Sequence, residues 1–272
     1  MEARAAAGIN PDRRSATEEL RILAIGVFEW FGQFGTFCAR LARAAVSPPY
    51  EWRELLHQCD EIGSLSLPLV ALAGAATGVV MSLETRDSLI RFGAKSMLPA
   101  IIVFSILKES GPIITALVVS GRVAAGIGAE LGSMKVTEQV DAMEVSAVDP
   151  LRYLAATRVV ACILMLPLLT LAADLCGVLM GWVANNLQET ISLRLFLQDG
   201  FKSVGFDDFL PSTAKTAIFG FIIGAIACFE GMRTRGGTAG VGRSTTRSVV
   251  LASLFVIVAD VVLVGLILVL FP

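Results

Sequence analysis

The sequence predicts an all-α integral membrane protein, with one helix in the membrane surface and five crossing the bilayer. Three observations carry that expectation. The 272 residues are 55% hydrophobic and 17% charged, with a mean hydropathy of +0.72; soluble domains run at about 45–50% apolar and about 25% charged. Five runs reach the roughly 20 apolar residues a helix needs to cross the hydrocarbon core. Lysines and arginines are divided unequally between the segments that join those runs.

The elements follow in order. Residues 1–19 hold Arg4, Arg13 and Arg14 beside acidic partners and lack the apolar stretch and cleavage site of a secretory signal. They read as a flexible polar tail. Over about 20–46, Glu29, Gln33, Thr36, Arg40 and Arg43 recur as one stripe along a helix. The other faces carry Ile22, Ile25, Phe28, Phe31, Phe34, Phe37 and Leu41. A polar stripe opposite an aromatic face suits the membrane surface. The spans are expected over about 62–83, 97–121, 159–184, 209–229 and 248–271. Leaving aside Lys108, Arg122 and Lys215, which lie in or at the edge of spans, five crossings put 14 cations on one side and 5 on the other. If the first helix also crossed, the division would be 10 against 9 and the bias would vanish. The positive-inside rule then places the N-terminus in the cytoplasm and the C-terminus outside. The pairs Gly74/Gly78, Gly177/Gly181 and Gly220/Gly224 have the spacing that lets helices approach closely in lipid.

Several functions are excluded early. A net charge of −2 argues against a nucleic-acid partner. His57 is the only histidine, so a histidine metal site or catalytic triad has no parts to build from. Cys38, Cys59, Cys162, Cys176 and Cys228 fit no metal or disulfide spacing and read as small packing residues. The glycine-rich Gly236–Arg243 lacks the phosphate-loop pattern, and no Walker-type motif occurs anywhere in the sequence. Ser244 or Thr245 is expected to cap the last span.

Three places hold groups able to do chemistry. The first is Lys108-Glu109-Ser110-Gly111-Pro112, inside the second span. Ionised groups at that depth persist where they face protein or water, and adjacent residues on a helix do not face each other. Lys108 and Glu109 either line a cavity and meet a polar headgroup or form structural ion pairs at a helix distortion set by Pro112. The second comprises Asp174 and Asp260, which serve either as proton carriers or as packed groups bonded to a neighbouring helix. The third is the connection Glu130–Arg152, expected to fold as an amphipathic helix over about 133–147. Val136, Val140 and Met143 form its apolar face; Glu138, Asp141 and Glu144 form an acidic one. It is either a solvated connector or a docking helix. Asp149-Pro150 is a cap and first-turn pair for the next helix.

The stretch Lys108–Leu154, with GGTAGVGRSTTRSVV over Gly236–Val250, resembles the signature regions of the MlaE (YrbE) permease family. The likeness extends from about Leu20 to the C-terminus. It implies a homodimeric permease domain over 20–272, paired with a cytoplasmic ABC ATPase beneath a periplasmic ring of MCE-domain proteins. In some systems a STAS-domain protein binds the ATPase. ATP would bind the partner, and this chain would carry no cofactor and no enzymatic activity. The implied cargo is phospholipid, moved between the bacterial inner membrane and the periplasm so that outer-membrane asymmetry is maintained. On that likeness Leu72, Val79 and Leu107 face acyl chains, and Lys108 and Glu109 lie nearer the headgroup. Glu130, Lys135, Glu138, Asp141, Glu144 and Asp149 belong to the region that couples to the ATPase. Where the family commonly has Arg-Glu-Leu-Gly-Pro, this chain has Lys-Glu-Ser-Gly-Pro; lysine offers a point charge in place of a planar fork. The alternative from the residues alone is a proton-coupled carrier of a hydrophobic substrate.

Overall fold

The computed structural model describes residues 16–48, 51–187, 190–202 and 204–270. Among them the chain forms helices and no strand. They are α1 (Ala16–Val46), α2 (Trp52–Arg91), α3 (Lys95–Val136), α4 (Gln139–Val145), α5 (Leu151–Asn186), α6 (Leu193–Phe201), α7 (Phe206–Met232) and α8 (Gly237–Leu270). Helices α2, α3, α5, α7 and α8 are long and apolar enough to cross a membrane. With α1 they make the expected set of five spans and one N-terminal helix. Residues 1–15 of the expected tail lie outside the described residues.

The spans run past the apolar cores that announce them. The 40 residues of α2 reach about 60 Å at 1.5 Å per residue, twice the roughly 30 Å hydrocarbon thickness. Hydropathy marks only the part of a helix that lipid must solvate. Polar helix-formers such as Arg53, Glu54, Glu84 and Arg86 extend α2 at both ends. Likewise α8 begins at Gly237, so Ser244 and Thr245 lie inside the helix and cap nothing. The Ser244 hydroxyl instead donates to the Glu230 carbonyl of α7 at 2.8 Å. The turn before α8 passes through positive φ at Gly236 (92°) and Gly237 (67°), which glycine adopts without strain.

Helix α5 is the centre of the bundle, packed between α2 and α7. All three glycine pairs lie at these two seams. A methyl at Gly74 or Gly78 would overlap the carbonyl of Ala173 or Gly177 on α5. One at Gly220 would overlap the Cys162 carbonyl, and one at Gly224 would come within 3.0 Å of Val159 Cα. Backbone therefore touches backbone, which lets dispersion act where lipid offers no hydrophobic drive. The main core gathers around Val70, Ala116, Val119, Leu166, Phe219 and Ile223. A second cluster, with Ile102, Val103, Ile106, Leu107 and Phe196, joins the start of α3 to α5 and α6. Ser192 caps α6 by accepting from the Leu195 N–H. The outer rows of α2 and α8, including Leu65, Leu69, Val258 and Val261, are exposed.

Helix α1 lies against the start of α5 and the end of α7. Its packed face is Trp30, Phe34, Phe37 and Leu41, with Phe229 and Phe255 opposite. Phe28 and Phe31 point outward. Trp30 Nε1 donates to Glu230 Oε1 at 2.8 Å, so the half-buried indole has its polar handle satisfied. All five cysteines are free; burial pushes the Cys38 thiol of α1 above its ordinary range.

Replacing a helical glycine by alanine ordinarily stabilises by about 0.5–1 kcal/mol. At Gly78 the sign reverses, because the methyl meets backbone that cannot rotate away. Gly78→Ala is expected to cost about 2 kcal/mol and to lower the midpoint of thermal unfolding in detergent. Gly265→Ala, with open space around it, should not lower it.

Candidate functional site

Helix α3 contains two wide turns, Ile106–Ser110 and Ser120–Ala124. Each is a π-helical turn with one residue more than an α-turn, a device that re-aims side chains. In the first, the Gly111 N–H bonds back to the Ile106 carbonyl. This spacing accommodates Pro112, which has no N–H for Lys108. Both turns carry charge: Lys108 and Glu109 in the first, Arg122 in the second.

The charges are satisfied between helices. Lys108 Nζ lies 2.7 Å from Asp208 Oδ1 in the first turn of α7 and 4.7 Å from the centre of the Phe104 ring. A carboxylate there also meets the positive end of the α7 dipole. Two turns further along α7, Lys215 Nζ lies 2.9 Å from Glu109 Oε2 and 3.0 Å from Asp260 Oδ1 of α8. A ladder of alternating charge thus ties α3, α7 and α8 together. Its deeper rung is about 14 Å from the start of α7 at 1.5 Å per residue. The rung is asymmetric: the Lys215 side chain is 2% exposed and that of Glu109 is 43% exposed. Lys215 and Asp260 are sealed, while the Glu109 carboxylate opens to the surface of the bundle. The five groups comprise two lysines and three carboxylates, with Lys215 shared between Glu109 and Asp260.

Two other polar links brace α3. Arg122 donates to Ser66 Oγ at 2.8 Å and to the Glu61 carbonyl at 3.3 Å on α2. The Ser120 and Ser253 hydroxyls are 2.8 Å apart. Asp174 of α5 has both oxygens buried without a hydrogen-bond partner among the described residues. It packs on Gly111, where a methyl would overlap its carboxylate.

The expected acyl-chain residues do not converge within the chain. Leu72 projects outward from α2, Val79 is half-buried, and Leu107 is buried in the second core cluster. The expected coupling stretch divides into two helices. Helix α3 continues to Val136, and Glu138 then takes a left-handed conformation (φ 61°) before α4 begins. Val140 is buried and anchors α4, while Val145 is 90% exposed. Glu130 pairs with Arg158 at 2.6 Å and Lys135 with Asp141. Glu144 borders a shallow groove with Arg40, Arg43 and Arg152. The Asp149 carboxylate accepts from the Leu151 N–H at 3.0 Å, the expected cap of α5.

Sequence reasoning missed Asp208 and Lys215. Lys215 did leave a signal: a lone lysine in an apolar run requires an anionic partner. Which carboxylate serves depends on how α7 is turned about its axis.

The model of the family described as Permease MlaE matches residues 55–266. A probable ABC transporter permease of Rickettsia typhi is 34% identical over 84% of this chain and 88% of its own length. One from Synechocystis is 34% identical over 76% and 79%. The chloroplastic protein Trigalactosyldiacylglycerol 1 of Arabidopsis thaliana is 32% identical over 78% of this chain and 61% of its own.

Removing the centre of the ladder leaves two carboxylates facing each other. Lys215→Met is expected to cost about 3 kcal/mol in reversible unfolding in detergent or bicelles, and adding Asp260→Leu should restore part of it. A loss below about 1 kcal/mol would mean that the rung is not formed. Asp174→Leu, which removes an unpartnered polar group at similar volume, is expected to be neutral or stabilising in the same assay.

Proposed function

The chain belongs to the MlaE permease family and is an ABC transporter permease, and from that premise we propose that it carries phospholipid through the bacterial inner membrane on ATP hydrolysed by a partner. Two copies enclose a lipid cavity facing the periplasm, where a ring of MCE-domain proteins receives or delivers the lipid. A cytoplasmic ABC ATPase, joined in some systems by a STAS-domain protein, docks below. The N-terminus lies in the cytoplasm and the C-terminus in the periplasm.

The observation that carries this reading is the Glu109 carboxylate, half exposed within a span and held by a sealed Lys215–Asp260 pair. An ionised group open to hydrocarbon is costly, so the face that bears it must meet something polar. A zwitterionic headgroup between two copies meets that need, with its phosphate near Lys108 and its ammonium near Glu109. Exposed Leu72 and half-buried Val79 of α2 then meet the acyl chains. The lipid in the name of the Arabidopsis relative supports a lipid cargo.

The link to ATP runs through α4. This helix is short, mostly exposed and placed between two spans. Val140 holds it to the core, so a push on α4 is transmitted to α3 and α5. Glu130–Arg158 stiffens the same corner from inside. Glu138, Asp141, Glu144 and the Asp149 cap are the groups an ATPase groove would meet, with Asp141 already held by Lys135. A proton-coupled carrier would have Asp174 as its free carboxylate, because Asp260 is bound by Lys215.

Two measurements test the proposal. Mass analysis of lipid co-purified with the chain is expected to find phospholipid, and Glu109→Leu with Lys108→Leu should reduce its amount at least threefold. Asp141→Lys with Glu144→Lys should abolish co-purification of the ABC ATPase. Undiminished ATPase retention would remove α4 from the coupling path, and transport without any ATPase would favour the proton-coupled carrier.

A further inference from the structure

A second polar surface lies at the opposite end of α7 from the charge ladder. The α7–α8 turn and the first turns of α8 face α1 across an open groove of about 1530 Å³. That is larger than the roughly 300–1,000 Å³ of an ordinary small-molecule pocket. Arg233, Arg235, Arg243 and Arg247 line it, against two carboxylates, Glu29 and Glu230. Glu230 is nearly buried and already accepts the Trp30 N–H. Glu29 accepts from the Gln33 amide. None of the four arginines makes an ion pair among the described residues, and Arg233 stacks on Phe229. The start of α8 borders the groove through Ala239 and Gly240, adding the positive end of a helix dipole.

The rest of the wall is apolar. Val27 and Phe31 of α1 and Val250 and Leu254 of α8 are each about half exposed and line the same groove. Cations and apolar surface are thus joined in one concavity beside a helix suited to the membrane surface. A free phosphate or an acidic peptide would satisfy the arginines and leave the apolar wall in water. An amphiphile satisfies both. Arginine forks match phosphate oxygens in pairs, and the excess positive charge selects a headgroup with net negative charge over a zwitterion.

We propose that the groove between α1 and the α7–α8 turn is a binding site for an anionic phospholipid of the leaflet in which α1 lies. This site is separate from the ladder at Glu109 and does not rest on the transport reading, because occupancy requires neither an ATPase nor turnover. An anionic lipid here would pin α1 to the end of α7 and the start of α8.

Trp30 lines the groove and supplies the reporter. The full-length chain with Trp52→Phe and Trp182→Phe keeps Trp30 as its only tryptophan. It is placed in nanodiscs containing phosphatidylglycerol or phosphatidylcholine with brominated chains, at equal mole fraction. The brominated phosphatidylglycerol is expected to quench Trp30 at least twice as strongly. Arg243→Gln with Arg247→Gln should bring the ratio to one, and Arg243→Lys with Arg247→Lys should keep it above one. If the glutamine pair does not fold, the preference of the parent chain must still fall as salt is raised, because exposed charges are screened. A ratio of one in the parent chain overturns the site, as does a preference indifferent to salt and to both substitutions. Absence of quenching by either lipid would mean that a protein surface, from a second copy or a partner, covers the groove.

Discussion

Charge inside hydrocarbon must be paired, and in this protein that constraint decides how three helices meet. Lys108 and Glu109 cannot neutralise each other from adjacent positions on α3. Each turns instead to α7, which carries Asp208 and Lys215 two turns apart, and Asp260 of α8 closes the deeper rung. The wide turn at Ile106–Ser110 makes the geometry possible by shifting the register of α3 where Pro112 removes a donor. The same device recurs at Ser120–Ala124, where Arg122 reaches α2. The irregular turns of α3 therefore coincide with its charged residues, and the helix is shaped by the pairs it has to make.

Beside the Arg122 link from α3, α2 is held by a second device, close backbone approach to α5. Gly74 and Gly78 lay α2 directly on α5, and Gly220 and Gly224 do the same for α7. Helix α5 thereby becomes the common wall of the protomer. One buried carboxylate, Asp174, stands on that wall against Gly111 at the edge of the charged segment. The ladder and the glycine seams are complementary: electrostatics fixes the rotation of α7, and small residues fix its distance from α5.

The two ends of the bundle then differ in kind. Toward the start of α7 the bundle shows a charge ladder with one open carboxylate. Toward the end of α7 it shows arginines, the amphipathic α1 and the exposed α4. Helix α3 joins the two ends, running through its wide turns from the ladder to the turn that precedes α4.

The sequence alone determined that the chain is a membrane protein with an N-terminal helix and five helices long and apolar enough to cross, because hydropathy is a property of composition along the chain. It also marked the KESGP interruption, the glycine pairs and the acidic stretch after α3, and motif likeness pointed to the MlaE permease family. It did not reveal where the helices end, since polar helix-formers continue a helix beyond lipid; α8 begins seven residues before the expected cap at Ser244. Nor could it divide the coupling stretch at Glu138, where a left-handed residue breaks the apolar periodicity of Val136 and Val140. Only the tertiary structure joined Lys108 to Asp208 and Glu109 to Lys215 and Asp260. Lys108 and Asp208 are 100 residues apart in sequence, Glu109 and Lys215 106 and Lys215 and Asp260 45, and these pairs exist only when rotation and depth of three separate helices agree.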